Sequence, residues 1–272
     1  MSGRWSTLAL VLLLAGCTGQ SASPSAESVG IELPPTAGGF DYQLGGAYPT
    51  DVSVVVRDAG ADPLPGAYSI CYVNGFQTQP DEAEAWSGHP ELVLSDVAGT
   101  PVVDPDWPDE FVLDPSTAAQ REGILEILGP VLTGCADAGF DAVEIDNLDT
   151  WTRFPAIDEA GARTLAAEYV GLAHGAGLAI GQKNAAEVSQ EMHDELGFDF
   201  AITEECGAYD ECAAYTGVYG THVLQIEYPD TLAASGTTFA QVCALGDRAP
   251  LTILRDRDLA VEGEPGFAYQ SC

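Results

Sequence analysis

Eight short apolar runs, each ending abruptly in polar or charged residues, recur along this chain. They are FDYQ (40–43), VSVVVRD (52–58), YSICYVN (68–74), DAVEIDN (141–147), LAIGQKN (178–184), FAITEE (200–205), HVLQIEY (222–228) and LTILRD (251–256). Runs this short and this apolar fit strands buried on both faces, as in a parallel sheet covered by helices. Helix-like stretches separate several of them. Residues 116–138 start from Ser116 as an N-cap and carry apolar residues at helical spacing, with Gly and Pro interrupting near 129. Residues 157–175 stop at Gly175, and 185–196 and 237–245 look similar but shorter. Eight buried strands alternating with helices, in about 235 residues, have the size and rhythm of an α/β (β/α)8 TIM-type barrel forming one domain. A doubly wound open sheet is the alternative. The barrel is preferred because polar residues close every run, and a barrel gathers the C-terminal ends of its strands on one face.

The ends of the chain read differently. Arg4 and the run LALVLLL (8–14) form a signal peptide, too short to span a bilayer. LAGC (14–17) has the form of a bacterial lipobox, so residues 1–17 are read as a lipoprotein leader with Cys17 as the lipidated residue. Residues 18–37 are rich in Ser, Pro, Ala and Gly and are read as a flexible tether. The folded domain is expected over 38–272. Its location is then extracytoplasmic, on the bacterial cell surface through a lipid anchor or secreted, with no other contact to membrane. The six remaining cysteines, Cys71, Cys135, Cys206, Cys212, Cys243 and Cys272, are an even set in an exported chain and imply disulfides. Cys206 and Cys212 are near enough to close a small loop, and Cys243 with Cys272 would staple the C-terminus. Other pairings stay open. No C-x-x-C pair is present and histidines are few, so no metal site is expected.

Forty-two Asp and Glu stand against nine Lys and Arg, a net charge of −33. That excludes nucleic acid as a partner, because binding it needs basic patches. An acidic surface solvates the chain and steers cations toward it. Lysine is all but excluded, yet Lys183 closes the run LAIGQKN. An inward-facing partner for cleft carboxylates is the reading its position favours over a surface lysine.

The strand ends supply carboxylates rather than a nucleophile motif. There is no G-x-S-x-G, and no phosphate-binding glycine loop opens a helix after a strand. Glu144, Asp146 and Asp149 cluster in VEIDNLD, and Glu204 and Glu205 in TEEC; Asp41, Asp58, Glu227 and Asp256 end other runs. Carboxylates forced into one partly dry cleft acquire different pKa values, and a proton donor paired with a nucleophile or base is what glycosidic cleavage requires. Tyr42, Gln43, Tyr72, Asn74, Gln182, Asn184 and Tyr228 are expected on the same face, where they would bind sugar hydroxyls. Strand alternation puts Glu144 on the same side as Asp146 but one layer deeper, where it needs a cation such as Arg57, Arg255 or Lys183. Only one of Glu204 and Glu205 can face inward. The irregular, Pro- and Asp-rich segment 75–115 is read as an excursion on the active-site side, with ELVLSD as a candidate extra strand; Trp86 and Trp107 are candidate sugar-stacking platforms, with packing of the long loop the favoured reading for either one singly.

The series FDYQLGGAYP, ICYVNGFQTQP, WPDEFVLD, GFDAVEIDNLD, GLAIGQKN, EECGAYDEC and IEY resembles glycoside hydrolase family 114. That resemblance runs from about residue 38 to 272. It implies a (β/α)8-barrel endo-α-1,4-polygalactosaminidase that needs no cofactor and takes galactosamine-containing polysaccharide. It further implies Asp146 and Glu204 as the catalytic pair. It places Asp41, Lys183, Asn184, Glu227 and Tyr228 in the substrate groove; with Tyr42, Gln43, Asn74, Glu144, Asn147, Asp149, Glu205 and Asp256 from the strand-end reading, these make up the expected substrate-binding set. A monomer is expected. A barrel glycosidase on another polysaccharide and a non-catalytic surface lectin are the competing readings.

Overall fold

The computed structural model describes residues 1, 3, 30–80, 83–86 and 88–272. All eight runs are strands: β1 Phe40–Gln43, β2 Val54–Asp58, β3 Tyr68–Asn74, β4 Ala142–Asp146, β5 Ala179–Lys183, β6 Phe200–Glu204, β7 Val223–Glu227 and β8 Leu251–Arg255. Each pairs parallel to the next in chain order. The architecture is the expected TIM-type barrel in one domain, with a ninth strand added. That strand, β9 Tyr269–Ser271, runs antiparallel along β8. Among the described residues no backbone ladder returns from β8 to β1, so side chains close the seam. Arg255, fully buried, donates to Asp41 Oδ1 at 2.8 Å, to the Tyr42 carbonyl, and to the carbonyls of Ala260 (3.0 Å) and Ala268 (3.2 Å). Tyr269 adds a bond from its hydroxyl to the Phe40 carbonyl at 2.8 Å. Covering the β8 edge this way satisfies backbone groups that an open sheet would leave exposed.

Two cores lie on either side of the barrel wall. Phe40, Val54, Ile70, Phe200, Leu224 and Ile253 belong to the cluster that fills the interior. Val143, Ile145, Ile180, Ala201 and Val223 face outward and pack under the helices with Leu128, Leu132, Leu165 and Tyr169. Each fully buried aliphatic or aromatic side chain contributes about 1.5–3 kcal/mol by leaving water. Gly181 is needed inside: a Cβ there would stand 2.5 Å from the Phe200 ring. A small residue below Lys183 therefore lets Phe200 fill the interior at the level where Glu144, the β4 register partner of Gly181, is buried.

The two long helices sit close to where periodicity placed them, but 186–196 is a succession of short 3-10, α and π turns, and within 237–245 only Phe239–Val242 is helical. Ala118–Ala138 is one continuous helix through Gly129 and Pro130. Pro130 removes one backbone donor, but it is exposed, as is Glu126 one turn earlier, so water replaces the bond. The cap is Thr117, not Ser116: Thr117 and Gln120 form a capping box. Ser116 instead donates to Asp114 and accepts from the Asp158 backbone amide. Asp158 in turn caps the Glu159–Gly175 helix. ELVLSD is not a strand; it makes isolated bridges, Val93 to Leu113 and Ser95 to Pro101. Trp86 is 2% exposed and belongs to the outer core, so it offers no sugar platform.

Three disulfides form: Cys71–Cys135, Cys206–Cys212 and Cys243–Cys272. Residues 31–34, expected within the tether, lie against the N-terminal end of the barrel. Ile31 packs on the interior cluster, Tyr68 Oη donates to the Glu32 carbonyl at 2.6 Å, and the His222 ring meets the Pro34 carbonyl at 3.2 Å. Cys17 and residues 4–29 lie outside the described residues. Among the described residues no helix is long and apolar enough to cross a membrane.

Candidate active site

At the C-terminal ends of the strands a cleft of about 530 Å³ opens. Strand alternation delivers its floor: Tyr42 from β1, Tyr72 from β3, Asp146 from β4, Lys183 from β5, Glu204 from β6, and Tyr228 just after β7. Lys183, with a side chain only 3% exposed, is the hub. Its Nζ lies 3.1 Å from Glu204 Oε2, 3.7 Å from Asp146 Oδ1 and 3.6 Å from Glu144 Oε1. It also donates to Tyr42 Oη at 3.2 Å and lies 5.4 and 5.9 Å from the Tyr42 and Tyr72 ring centres. The two upper carboxylates stay reachable, Asp146 at 18% and Glu204 at 23% side-chain exposure.

Each of those carboxylates is oriented by donors. Tyr72 Oη donates to Asp146 Oδ2 at 2.7 Å, and the Asn147 amide to Asp146 Oδ1 at 2.8 Å. Tyr228 Oη donates to Glu204 Oε1 at 2.5 Å, and Asn184 Nδ2 to Glu204 Oε2 at 3.0 Å. Asn184 Oδ1 accepts from the Glu204 amide at 2.8 Å, so one asparagine locks backbone and side chain together. The backbone turns sharply where these strands end. Asn147, Asn184, Ala185 and Glu205 all have positive φ, between 51° and 65°. Asn tolerates that region, whereas Ala and Glu lose about 1–2 kcal/mol there. Gln182 stabilises the turn from outside the barrel, donating to the carbonyls of Asn184 (2.6 Å) and Ala185 (3.0 Å).

The site sorts its carboxyl groups by environment. Burial pushes Glu144 up to about 8 against the pull of Lys183, so it is neutral at pH 7. Burial also works on Glu204, but Lys183 and the bonds from Tyr228 and Asn184 outweigh it and hold that carboxyl below its ordinary value. Burial disfavours the Lys183 ammonium, yet Asp146, Glu204 and Glu144 more than offset this and hold its pKa well above the lysine norm. Burial and the nearby Asp146 push Glu110, which reaches the cleft from the β3–β4 excursion, up to about 7.

The expected groove residues divide. Tyr42, Asn147, Asp149, Lys183, Asn184 and Tyr228 line the cleft. Glu144 lies beneath it with no exposed surface, accepting from Tyr42 Oη at 2.9 Å. Asp41 and Gln43 do not line the cleft: both are 1% exposed and belong to the seam, where Gln43 joins Asp41 and Arg57. Asn74, 1% exposed, stands behind the cleft and accepts from Asn147 Nδ2 at 3.1 Å. Glu227 points out of the barrel and holds the Gly207 amide at 2.7 Å. Asp256 holds the chain between β8 and β9 through the amides of Ala260 and Ala268. Of the TEEC pair, Glu204 faces inward and Glu205 turns to Arg257 at 2.5 Å. The sequence reading missed Glu110, Arg153, Arg257 and Asp258, all lining the cleft. Arg153 and Arg257 had one legible signal, being rare cations within a few residues of strand ends. Glu110 had none.

The model of the glycoside-hydrolase family GH114 matches residues 20–272. No curated protein sequence matches the chain. The crystal structure of Aspergillus fumigatus Ega3 in complex with galactosamine is similar, with a TM-score of 0.69 at 18% identity over 89% of this chain and 98% of that one. The glycoside hydrolase domain of PelA from Pseudomonas aeruginosa is similar with a TM-score of 0.57 at 16% identity over 83% of this chain and 96% of that one.

Proposed function

Since the chain belongs to glycoside hydrolase family GH114, we propose that it cleaves α-1,4-linked galactosamine-containing polysaccharide internally, with Asp146 and Glu204 as the reacting carboxylates. The observation that carries the pair is their convergence on Lys183 Nζ, at 3.7 and 3.1 Å, from β4 and β6, the strands on either side of β5. The structural likeness to Ega3, solved with galactosamine, supports the sugar. The acidic cleft supports a cationic, deacetylated form of it.

In this reading one carboxylate attacks the anomeric carbon while the other protonates the leaving oxygen and later activates water. The nearest oxygens of the pair cannot be farther apart than their two distances to Nζ laid end to end. That limit meets only the lower edge of the roughly 6.5–9.5 Å of inverting enzymes and includes the roughly 5–5.5 Å of retaining ones, so the reading is retention. The chemistry needs only side chains. The lectin reading is disfavoured by the oriented, partly exposed pair. The three disulfides and the N-terminal LAGC support an exported protein held at the cell surface through Cys17.

The test is product analysis with partially deacetylated α-1,4-galactosamine polymer. Wild type is expected to release oligosaccharides whose first-formed reducing ends are α by proton NMR. Asp146→Asn and Glu204→Gln are each expected to lower kcat by about 10²–10⁴ while remaining folded. Wild-type turnover in either variant would break the pair, and no release by wild type would remove the substrate.

A further inference from the structure

The β3–β4 excursion places two side chains at the cleft that the two-carboxylate chemistry does not use. Trp107 is 55% exposed and lines the cleft, although large apolar side chains elsewhere in this segment, such as Trp86, Leu92 and Leu113, are buried. It is held rather than loose. The Trp107 amide donates to the Asp104 carbonyl at 3.2 Å, and the Glu110 amide donates to the Trp107 carbonyl at 2.9 Å. Asp104 itself has no exposed surface and is fixed by Gln77 Nε2 at 2.7 Å and by Arg153. The turn is therefore anchored to the segment after β3 through Gln77 and to the segment after β4 through Arg153. An exposed indole on a rigid turn, facing a cleft, is a preorganised stacking surface.

Glu110 ends the same turn. Its Oε2 accepts from Asn74 Nδ2 at 3.1 Å, and its Oε1 receives no hydrogen bond from the described residues. Asn74 is the β3 partner of Asp146 in the sheet register, so Glu110 lies on the β3 side of Asp146, away from Glu204 on β6. We propose that Trp107 and Glu110 form an outer sugar subsite, in which the indole stacks on the ring of a unit next to the reacting bond and the free carboxylate oxygen takes that unit's ammonium. This rests on the reading of the substrate as a galactosamine polymer and adds which unit is sensed and by what. The charged groups facing Glu110 are Asp146 from β4, Asp104 from its own excursion and Arg153 from the segment after β4. With its carboxyl near neutrality, an arriving ammonium favours the ionised form and expels a proton.

The experiment is calorimetric binding at pH 7 in the Glu204→Gln background, which separates binding from turnover. The probes are a fully deacetylated α-1,4-galactosamine tetramer and its N-acetylated counterpart, each in two buffers of different ionisation enthalpy. Adding Glu110→Gln is expected to weaken the deacetylated tetramer about tenfold and abolish proton release, with the acetylated tetramer unaffected. Adding Trp107→Ala is expected to weaken both. Equal affinities across the three proteins, or proton release that survives Glu110→Gln, would overturn the subsite. The failures separate: a protein that cleaves the polymer without this dependence loses the subsite alone, and one that shows the dependence but releases no product loses the hydrolytic reading alone.

Discussion

Lys183 is the residue on which the site turns. An ammonium this buried is tolerated because three carboxyl groups lie within 4 Å of it, one of them neutral. Lys183→Met removes the strongest influence holding Glu204 ionised. Burial then prevails, its pKa rises, and protonation spares the fold an uncompensated charge. The expected outcome is a folded protein by circular dichroism with kcat/KM down by about 10²–10³ and an acidic limb moved to higher pH. Unchanged activity would dispose of the hub. Glu144 makes a different prediction. Its folded pKa, about 8, lies above that of an unfolded glutamate. Between those values the native state binds the extra proton, so this group's contribution to stability falls as pH rises across that window. Glu144→Gln cannot titrate and still accepts from Tyr42. Its melting temperature relative to wild type should therefore climb steadily from pH 5 to pH 8, and a constant difference would refute the assignment.

At the scale of elements, the strands position the chemistry and the cross-links hold the strands. Cys71 on β3 joins Cys135 near the end of the Ala118–Ala138 helix, spanning 64 residues, whereas Cys206–Cys212 spans six just after β6. Loop entropy assigns about 4 kcal/mol to the first and about 2 kcal/mol to the second. Urea midpoints of the two double-serine variants should fall in that order, and the reverse order would show that the short bridge acts through native packing. The Ala118–Ala138 helix also shows why its cap was misjudged by one residue. Ser116 and Thr117 are both cap formers, and the choice fell to Thr117 because Gln120 completes its capping box while Ser116 is engaged by Asp114 and Asp158.

The molecule as a whole carries −33 charges at pH 7. That field opposes compaction and attracts cations. Raising NaCl from about 0.05 to about 0.5 M shortens the screening length from roughly 14 to roughly 4 Å. The melting temperature should rise by a few degrees while kcat/KM on a cationic polymer falls. A melting temperature independent of salt would show that the charges are too dispersed to strain the fold.

The order of eight strands, their burial and the strand-end positions of Asp146 and Lys183 were legible in the chain because they are local properties, whereas the choice of Glu204 over Glu205 came from the family resemblance. A strand buried on both faces must be apolar throughout, and a period of two decides which neighbours share a side. Membership of the cleft was not legible, because it depends on contacts distant in sequence. Asp41, Gln43, Glu227 and Asp256 end strands as Asp146 does, yet each is drawn into the seam, the outer wall or a loop. Glu110 and Trp107 reach the cleft only because Asp104, Gln77 and Arg153 fold the excursion back over it. The sequence by itself determined the barrel and the carboxylates at its mouth. Tertiary structure alone decided which carboxylates share one ammonium, since three groups from β4 and β6 meet Lys183 only when the sheet curls and brings those strand ends around one point.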